Sequence, residues 1–237
     1  MGTLLSIVND ARMEAGLASG DLTTLQSGLS LEDQRFMRWA QMEYRKMCAK
    51  HRDWQFLRQT FDFGPLTAGV ASYTPAQVGA LATSTFTAQQ FKDWKRDSFR
   101  LYSTGSNYGD EQLSTFMPWD QFRNVYQYSN QRNITSRPVA FSIDPLKNLW
   151  FGITPDATGW RVDGELYLNP ISLSADTDRP QWPVQYDDLL TYLVLRAYGV
   201  FMSAPEVVQR ASQEIGPLYA QLLLDQLPVI TSGPPLA

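Results

Sequence analysis

Between Leu189 and Met202 only Thr191, Arg196 and Gly199 interrupt an otherwise apolar run, and this stretch constrains the fold more than any other. A helix that is apolar nearly all round is surrounded by protein rather than lying on a wet surface. A bilayer span needs about 20 such residues. This run is shorter, opens on Asp187 and Asp188, and carries Arg196 at its middle. It predicts a buried helix, enclosed by its own chain or covered in part by another subunit. At 237 residues the chain is long enough for one large domain or two modest ones.

The rest of the chain supplies elements to pack around that helix. Thr3 is placed to cap a helix from Leu4 to about Ala15, with Gly16 at its end. After a polar connector, Ser30 and Asp33 form a capping arrangement for a second helix running to about Arg52. On it Phe36, Ala40, Tyr44, Met47 and Cys48 recur at three- and four-residue spacing. The period changes at Arg58. Leu57, Gln59, Phe61 and Phe63 alternate with Arg58, Thr60 and Asp62, a strand pattern ended by Gly64-Pro65. Phe99, Leu101 and Ser103 alternate again, a loop rich in Gly, Ser and Asn follows to Gly109, and Pro118 opens a short helix.

Val139, Phe141 and Ile143 read as a strand, and the segment 144–148 as a turn. Leu149, Phe151 and Ile153 read as a second strand, and Trp160, Val162, Leu166 and Leu168 as a third, with Gly164 marking a bulge. Short turns between them predict an antiparallel meander. Pro205 starts the last helix, which Gly216-Pro217 should kink or break. The expected fold class is therefore α+β, a discontinuous helical bundle interrupted by an antiparallel β module. The boundaries expected are 1–57 for the first helical half, 58–182 for the β-rich insert and 183–226 for the second half. Leu227 to Ala237 is expected to form an extended arm, because its prolines suit neither helix nor central strand.

Chemistry-bearing residues are scarce. The single histidine, His51, ends a basic helix where a cation suits the macrodipole, and the single cysteine is Cys48. Two such residues cannot supply the four soft or imidazole ligands of a zinc site, so no metal or cofactor is expected. A lone cysteine also rules out an internal disulfide framework. The N-terminus lacks the basic and long apolar regions of a signal peptide. Gly2 with Ser6 satisfies a myristoylation pattern, but Leu4, Leu5, Ile7, Val8 and Ala11 are better explained as a helix face. Paired carboxylates remain as a catalytic device: Asp110 with Glu111, Asp163 with Glu165, and Asp187 with Asp188. Each has a simpler structural explanation, in solvation, strand-face repulsion or the N-terminal end of a helix.

Charge distribution says more. The net charge of −4 gives no basic excess for nucleic-acid binding. From Ser30 to Arg58, seven Lys or Arg face four Asp or Glu, a net of +3. From Asp187 to Asp225, two basic residues face five acidic ones, a net of −3. The two segments can neutralise each other inside one subunit, or meet across a heterologous interface in a ring. The subunit-interface candidates are therefore Arg35, Arg38, Arg45 and Lys46 on one side, with Asp187, Asp188, Glu206 and Glu214 on the other.

Several stretches in order carry a resemblance. They are Leu-Leu-Ser-Ile-Val-Asn-Asp-Ala-Arg-Met-Glu-Ala-Gly-Leu from Leu4, Arg-Asp-Trp-Gln-Phe-Leu from Arg52, and Arg-Gln-Thr-Phe-Asp-Phe from Arg58. Arg137 to Phe141, Gly164 to Pro170, and Trp182-Pro183 follow. Together they resemble the head-to-tail adaptor family of short-tailed double-stranded DNA phages, which includes head-completion connectors and tail tubular proteins. Residues 84–131 match least well. The resemblance implies a structural virion protein, not an enzyme, that assembles as a homo-oligomeric ring, dodecameric in that family. The ring would lie between the portal protein and the next tail component, with DNA passing through its lumen and no membrane involved. It would act in the tail neck after assembly in the host cytoplasm. The arm supplies portal-contact candidates Leu227, Pro228, Val229, Ile230, Pro234, Pro235 and Leu236. The rivals are a carboxylate-pair glycan hydrolase and a monomeric binding module using the loop around Gly105–Gly109.

Overall fold

A computed structural model describes residues 2–17, 20–105, 108–157 and 159–228. In chain order the elements are α1 (Leu4–Glu14), α2 (Leu31–Lys50), β1 (Arg58–Phe63), β2 (Ser72–Tyr73), α3 (Pro75–Leu81), β3 (Phe91–Trp94) and β4 (Arg100–Ser103). Then come β5 (Gln112–Leu113), β6 (Thr115–Phe116), α4 (Trp119–Phe122), β7 (Thr135–Ser136), β8 (Ala140–Ile143) and β9 (Leu149–Gly152). The last are β10 (Thr154–Pro155), β11 (Trp160–Leu168), α5 (Asp187–Phe201) and α6 (Pro205–Gln226). The fold is α+β, and the chain divides into a helical unit, 1–57 with 170 onward, and a β-rich unit, 58–169.

In the helical unit the termini form where the sequence provides caps. The Thr3 hydroxyl accepts from the Ser6 amide at 3.2 Å, and Gly16 takes φ +75° just past α1. Ser30 and Asp33 close a capping box on α2. Helix α5 packs on α1, α2 and α6 and buries Leu189, Leu190, Leu193, Val194 and Leu195. Gly199 lets α6 approach, since a Cβ there would lie 3.0 Å from Val208 Cγ2. Helix α6 runs continuously through Gly216-Pro217, so of the kink or break expected there the break does not occur. Its continuation is held by packing, because Leu218, Tyr219, Leu222 and Leu223 all lie against the core.

Residues 170–182, read from sequence as the end of the β-rich insert, pack with the helices instead. Leu173 and Trp182 are buried there, and Gln181 Oε1 accepts from the Tyr44 hydroxyl at 3.1 Å and from the Ile171 amide at 2.8 Å. On the other side of the core, the Asp176 carboxylate receives the Thr24 hydroxyl and the Leu25 amide, each at 2.7 Å. These bonds hold both irregular segments against the core.

The β-rich unit is not the expected meander. β8 and β9 pair antiparallel, but β11 leaves them for another sheet, ordered β1-β11-β4-β5, with β3 also on β11. All six residues of β1 pair with β11. Gly164 sits in register opposite Phe61 rather than in a bulge, and the irregularity falls between Tyr167 and Leu168 against β3. The second sheet runs β2-β9-β8-β6, with β6 parallel to β8, and β7 and β10 form a small parallel pair. Phe61, Phe63, Trp94, Phe99, Phe141 and Phe151 fill the core, and Phe99 stacks on Phe141 at 4.2 Å to join the two sheets. Strand β8 is buried on both faces: Phe141 lies in the core as expected, but Ala140 and Ser142 are buried as well, the Ser142 hydroxyl donating to the Met117 carbonyl at 2.8 Å, and Val139 just before the strand is exposed. Strand β11 instead keeps a clean period of two, with Trp160, Val162, Gly164 and Leu166 inward.

Candidate functional site

In the helical unit α2 from Leu31 to Arg45 and the chain before it line an open groove of about 640 Å³. Leu25, Leu29, Leu31 and Met37 supply its apolar lining, and Arg35, Arg38 and Arg45 its charge. Spacings of three and seven residues put these arginines on one helical face. The wall behind them is set by the core, since Phe36, Ala40, Tyr44 and Met47 turn the opposite face inward. Arg35 lies 4.5 Å above the Phe201 ring, and Arg45 Nε donates to the Gln41 carbonyl of its own helix at 3.2 Å. Among the described residues none of the three guanidinium groups is in an ion pair. Leu31, 75 % exposed, extends the apolar lining to the surface.

Beside the groove, the turn from α5 to α6 leaves Val200, Phe201 and Met202 exposed, so the run that reads as wholly buried opens to solvent at its end. Phe201 also lies 5.7 Å from Trp39. Sequence reasoning missed this tip and the lining leucines; Gly199 and Pro205, which bracket the turn, were the available signal.

Of the other interface candidates, Lys46 is bound to Glu43 of its own helix at 2.7 Å, and Arg196 reaches the same carboxylate at 3.8 Å. Asp187 is half-buried and accepts from the Gly2 amide at 2.8 Å; burial raises its pKa more than that bond lowers it. Asp188 is exposed beside Asp10 and Glu14, and burial with the nearby Asp188 and Asp21 carboxylates holds Asp10 above the usual range. Glu206 and Glu214 are exposed on α6, while Arg210 between them is bound to Glu14. None of Arg35, Arg38 and Arg45 pairs with Asp187, Asp188, Glu206 or Glu214 among the described residues. Of the portal-contact candidates, Leu227 packs partly on the core and Pro228 is exposed. Val229, Ile230, Pro234, Pro235 and Leu236 lie outside the described residues.

Most of the residues weighed for catalysis are engaged in holding the fold. His51 Nε2 meets the Tyr219 hydroxyl at 3.0 Å, and its ring stands edge-on to Trp54. Glu165 binds Lys95 at 2.8 Å and also Arg58; these cations hold its pKa below the usual range although burial alone would raise it. On the same face of β11, burial raises Asp163. Glu111 pairs with Arg100 at 3.0 Å, and Asp110 accepts from the Ser103 amide. In the loop of the binding-module reading, Tyr108 packs on Tyr102 at 4.6 Å, and Ser106 and Asn107 lie outside the described residues. Among the described residues no group of three or more His, Cys, Asp or Glu is placed to hold a metal ion, and no helix is long and apolar enough to cross a membrane.

The family profile described as SU10 adaptor protein matches residues 3–232, nearly the entire chain. The chain belongs to that family. The match agrees with the resemblance to phage head-to-tail adaptors, and it identifies a structural adaptor of a phage particle. No curated protein matches the chain. For an adaptor the surfaces that matter are those offered to other virion components, and the helical unit offers the arginine groove, the α5–α6 tip and the end of α6.

Proposed function

We propose that this adaptor forms a ring of identical subunits between the portal and the next tail component. The observation that carries the reading is the family match over residues 3–232. Three physical features support it. Apolar side chains at Leu31, Val200, Phe201 and Met202 stand in solvent beside a cationic groove, as surfaces completed by assembly do. Among the catalytic candidates, His51, Asp110, Glu111, Glu165 and Asp187 are held in ion pairs or hydrogen bonds within the fold. The chain also ends in a proline-bearing segment after α6, suited to lie along a partner in extended form. In this reading the segment 227–237 contacts the portal, the β-rich unit faces the tail, and DNA passes through the lumen.

Deleting residues 228–237 tests the arm. Leu227 still caps α6 through its amide to the Leu223 carbonyl, so the truncated chain keeps the helical unit folded. It is expected to bind the portal at least tenfold more weakly, since the contacts that offset ordering of the arm are gone. Co-sedimentation with purified portal reads this. Unchanged portal binding by a folded truncated chain contradicts the role given to the arm.

A further inference from the structure

Where identical subunits meet in a closed ring, one face of each must fit a different face of the next. We propose that the arginine groove on α2 receives the outward, glutamate-bearing face of α6 from a second copy of this chain. The inference rests on the ring reading and names the two surfaces that would join.

The first observation is complementary charge left unpaired on both sides. Arg38 and Arg45 stand exposed on α2 with no carboxylate partner among the described residues. Glu206 and Glu214 stand exposed on α6 with no cationic partner among them either, Arg210 between them being bound to Glu14. At 1.5 Å per residue the two arginines are about 10 Å apart along their helix and the two glutamates about 12 Å along theirs. The axial spacings are close, and although eight residues turn Glu214 about 80° round α6 from Glu206, the long arginine side chains of a crossing helix can reach both.

The second observation is the placement of the two faces. Both α2 and α6 pack on α5, with Phe36 and Met47 of α2, and Ala211 and Leu222 of α6, turned to the core. Contacts between them include Lys50 and His51 against Tyr219, beyond the C-terminal end of the arginine row. The arginine face and the glutamate face are thus separate surfaces of one unit, which a head-to-tail contact needs and a two-fold contact does not. Apolar surface accompanies each: Leu25, Leu29, Leu31 and Met37 in the groove, and Leu224, 81 % exposed, on α6. Burying these on assembly would supply attraction, and the charge pairs would set register. Pairs at such an interface are screened by salt, so assembly should weaken as ionic strength rises.

Charge exchange tests this. Full-length chains carrying Arg38→Glu with Arg45→Glu, or Glu206→Arg with Glu214→Arg, place like charges opposite one another and are expected to lower self-association at least tenfold. The chain carrying all four substitutions restores opposite charges and is expected to regain association, as are the two double variants mixed in equal amounts. Mass photometry of the purified chain and of the neck complex from particles reads the ring, and circular dichroism confirms that each variant folds. Folded double variants that assemble as well as the wild type overturn this interface and leave the ring standing. A loss that the four-fold exchange fails to rescue also overturns it. A wild-type chain that is monomeric alone and within particles overturns the ring and this interface together.

Discussion

Glu165 shows how a residue weighed for catalysis can be an anchor of the sheet. It shares an outward face of β11 with Asp163, and from sequence the two read as like charges in repulsion. What sequence spacing does not reveal is the partner across the sheet: Arg58 comes from the neighbouring β1, opposite Tyr167 and so diagonal to Glu165, and Lys95 follows β3. The folded pKa of Glu165 lies below its ordinary value of 4.5, so the ion pairs contribute stability above that pH and lose it as pH falls through the lowered value. Glu165→Gln is expected to cost about 1 kcal/mol near neutral pH, with the gap to wild type closing in acid. Urea titrations of both chains near pH 7 and pH 3 measure it; a gap of equal size at both contradicts the role. His51 was legible at this scale as the basic end of a helix. Its bond to Tyr219 was not, because the two are 168 positions apart.

At the scale of elements, the helices were the most readable part. Caps at Thr3 and Ser30 and the spacing of apolar residues locate α1 and α2, and the run after Asp188 locates α5, all local signals. The strands were harder. Short turns favoured a meander, yet β11 pairs with β1, about a hundred residues earlier, because its inward Trp160, Val162 and Leu166 fill the core beneath Phe61 and Phe63. Helix α3 shows no apolar period in its seven residues, and its signal in the sequence is the capping box of Thr74 and Gln77. Two helical glycines give a paired prediction. A Cβ at Gly199 would press on Val207 and Val208, so Gly199→Val should cost about 1–3 kcal/mol by forcing α5 and α6 apart. Gly216 has open space around it apart from its chain neighbours, but Pro217 follows and disfavours helical backbone at a preceding residue that carries a Cβ, so Gly216→Ala should change stability by less than about 0.5 kcal/mol. Thermal or urea unfolding reads both, and equal effects of one sign would contradict this account of the α5–α6 packing.

At the scale of the whole molecule, the organisation of the sequence pointed to a subunit: scarce chemistry, helical segments of opposite charge, and a proline-bearing end. Membership of the adaptor family places the chain among the structural parts of a phage particle. The surfaces themselves were only partly legible. The signs of Arg35, Arg38 and Arg45 could be read, but the groove they line depends on Leu29 and on Leu25, whose amide is held by Asp176 far along the chain. Averaged images of purified particles, with a tag fused to the β-rich unit, test the central claim most directly. The account predicts a ring of density between the portal and the tail, with the tag on its tail-facing side and no such ring in particles made without the chain. An intact neck in particles lacking this protein would contradict it.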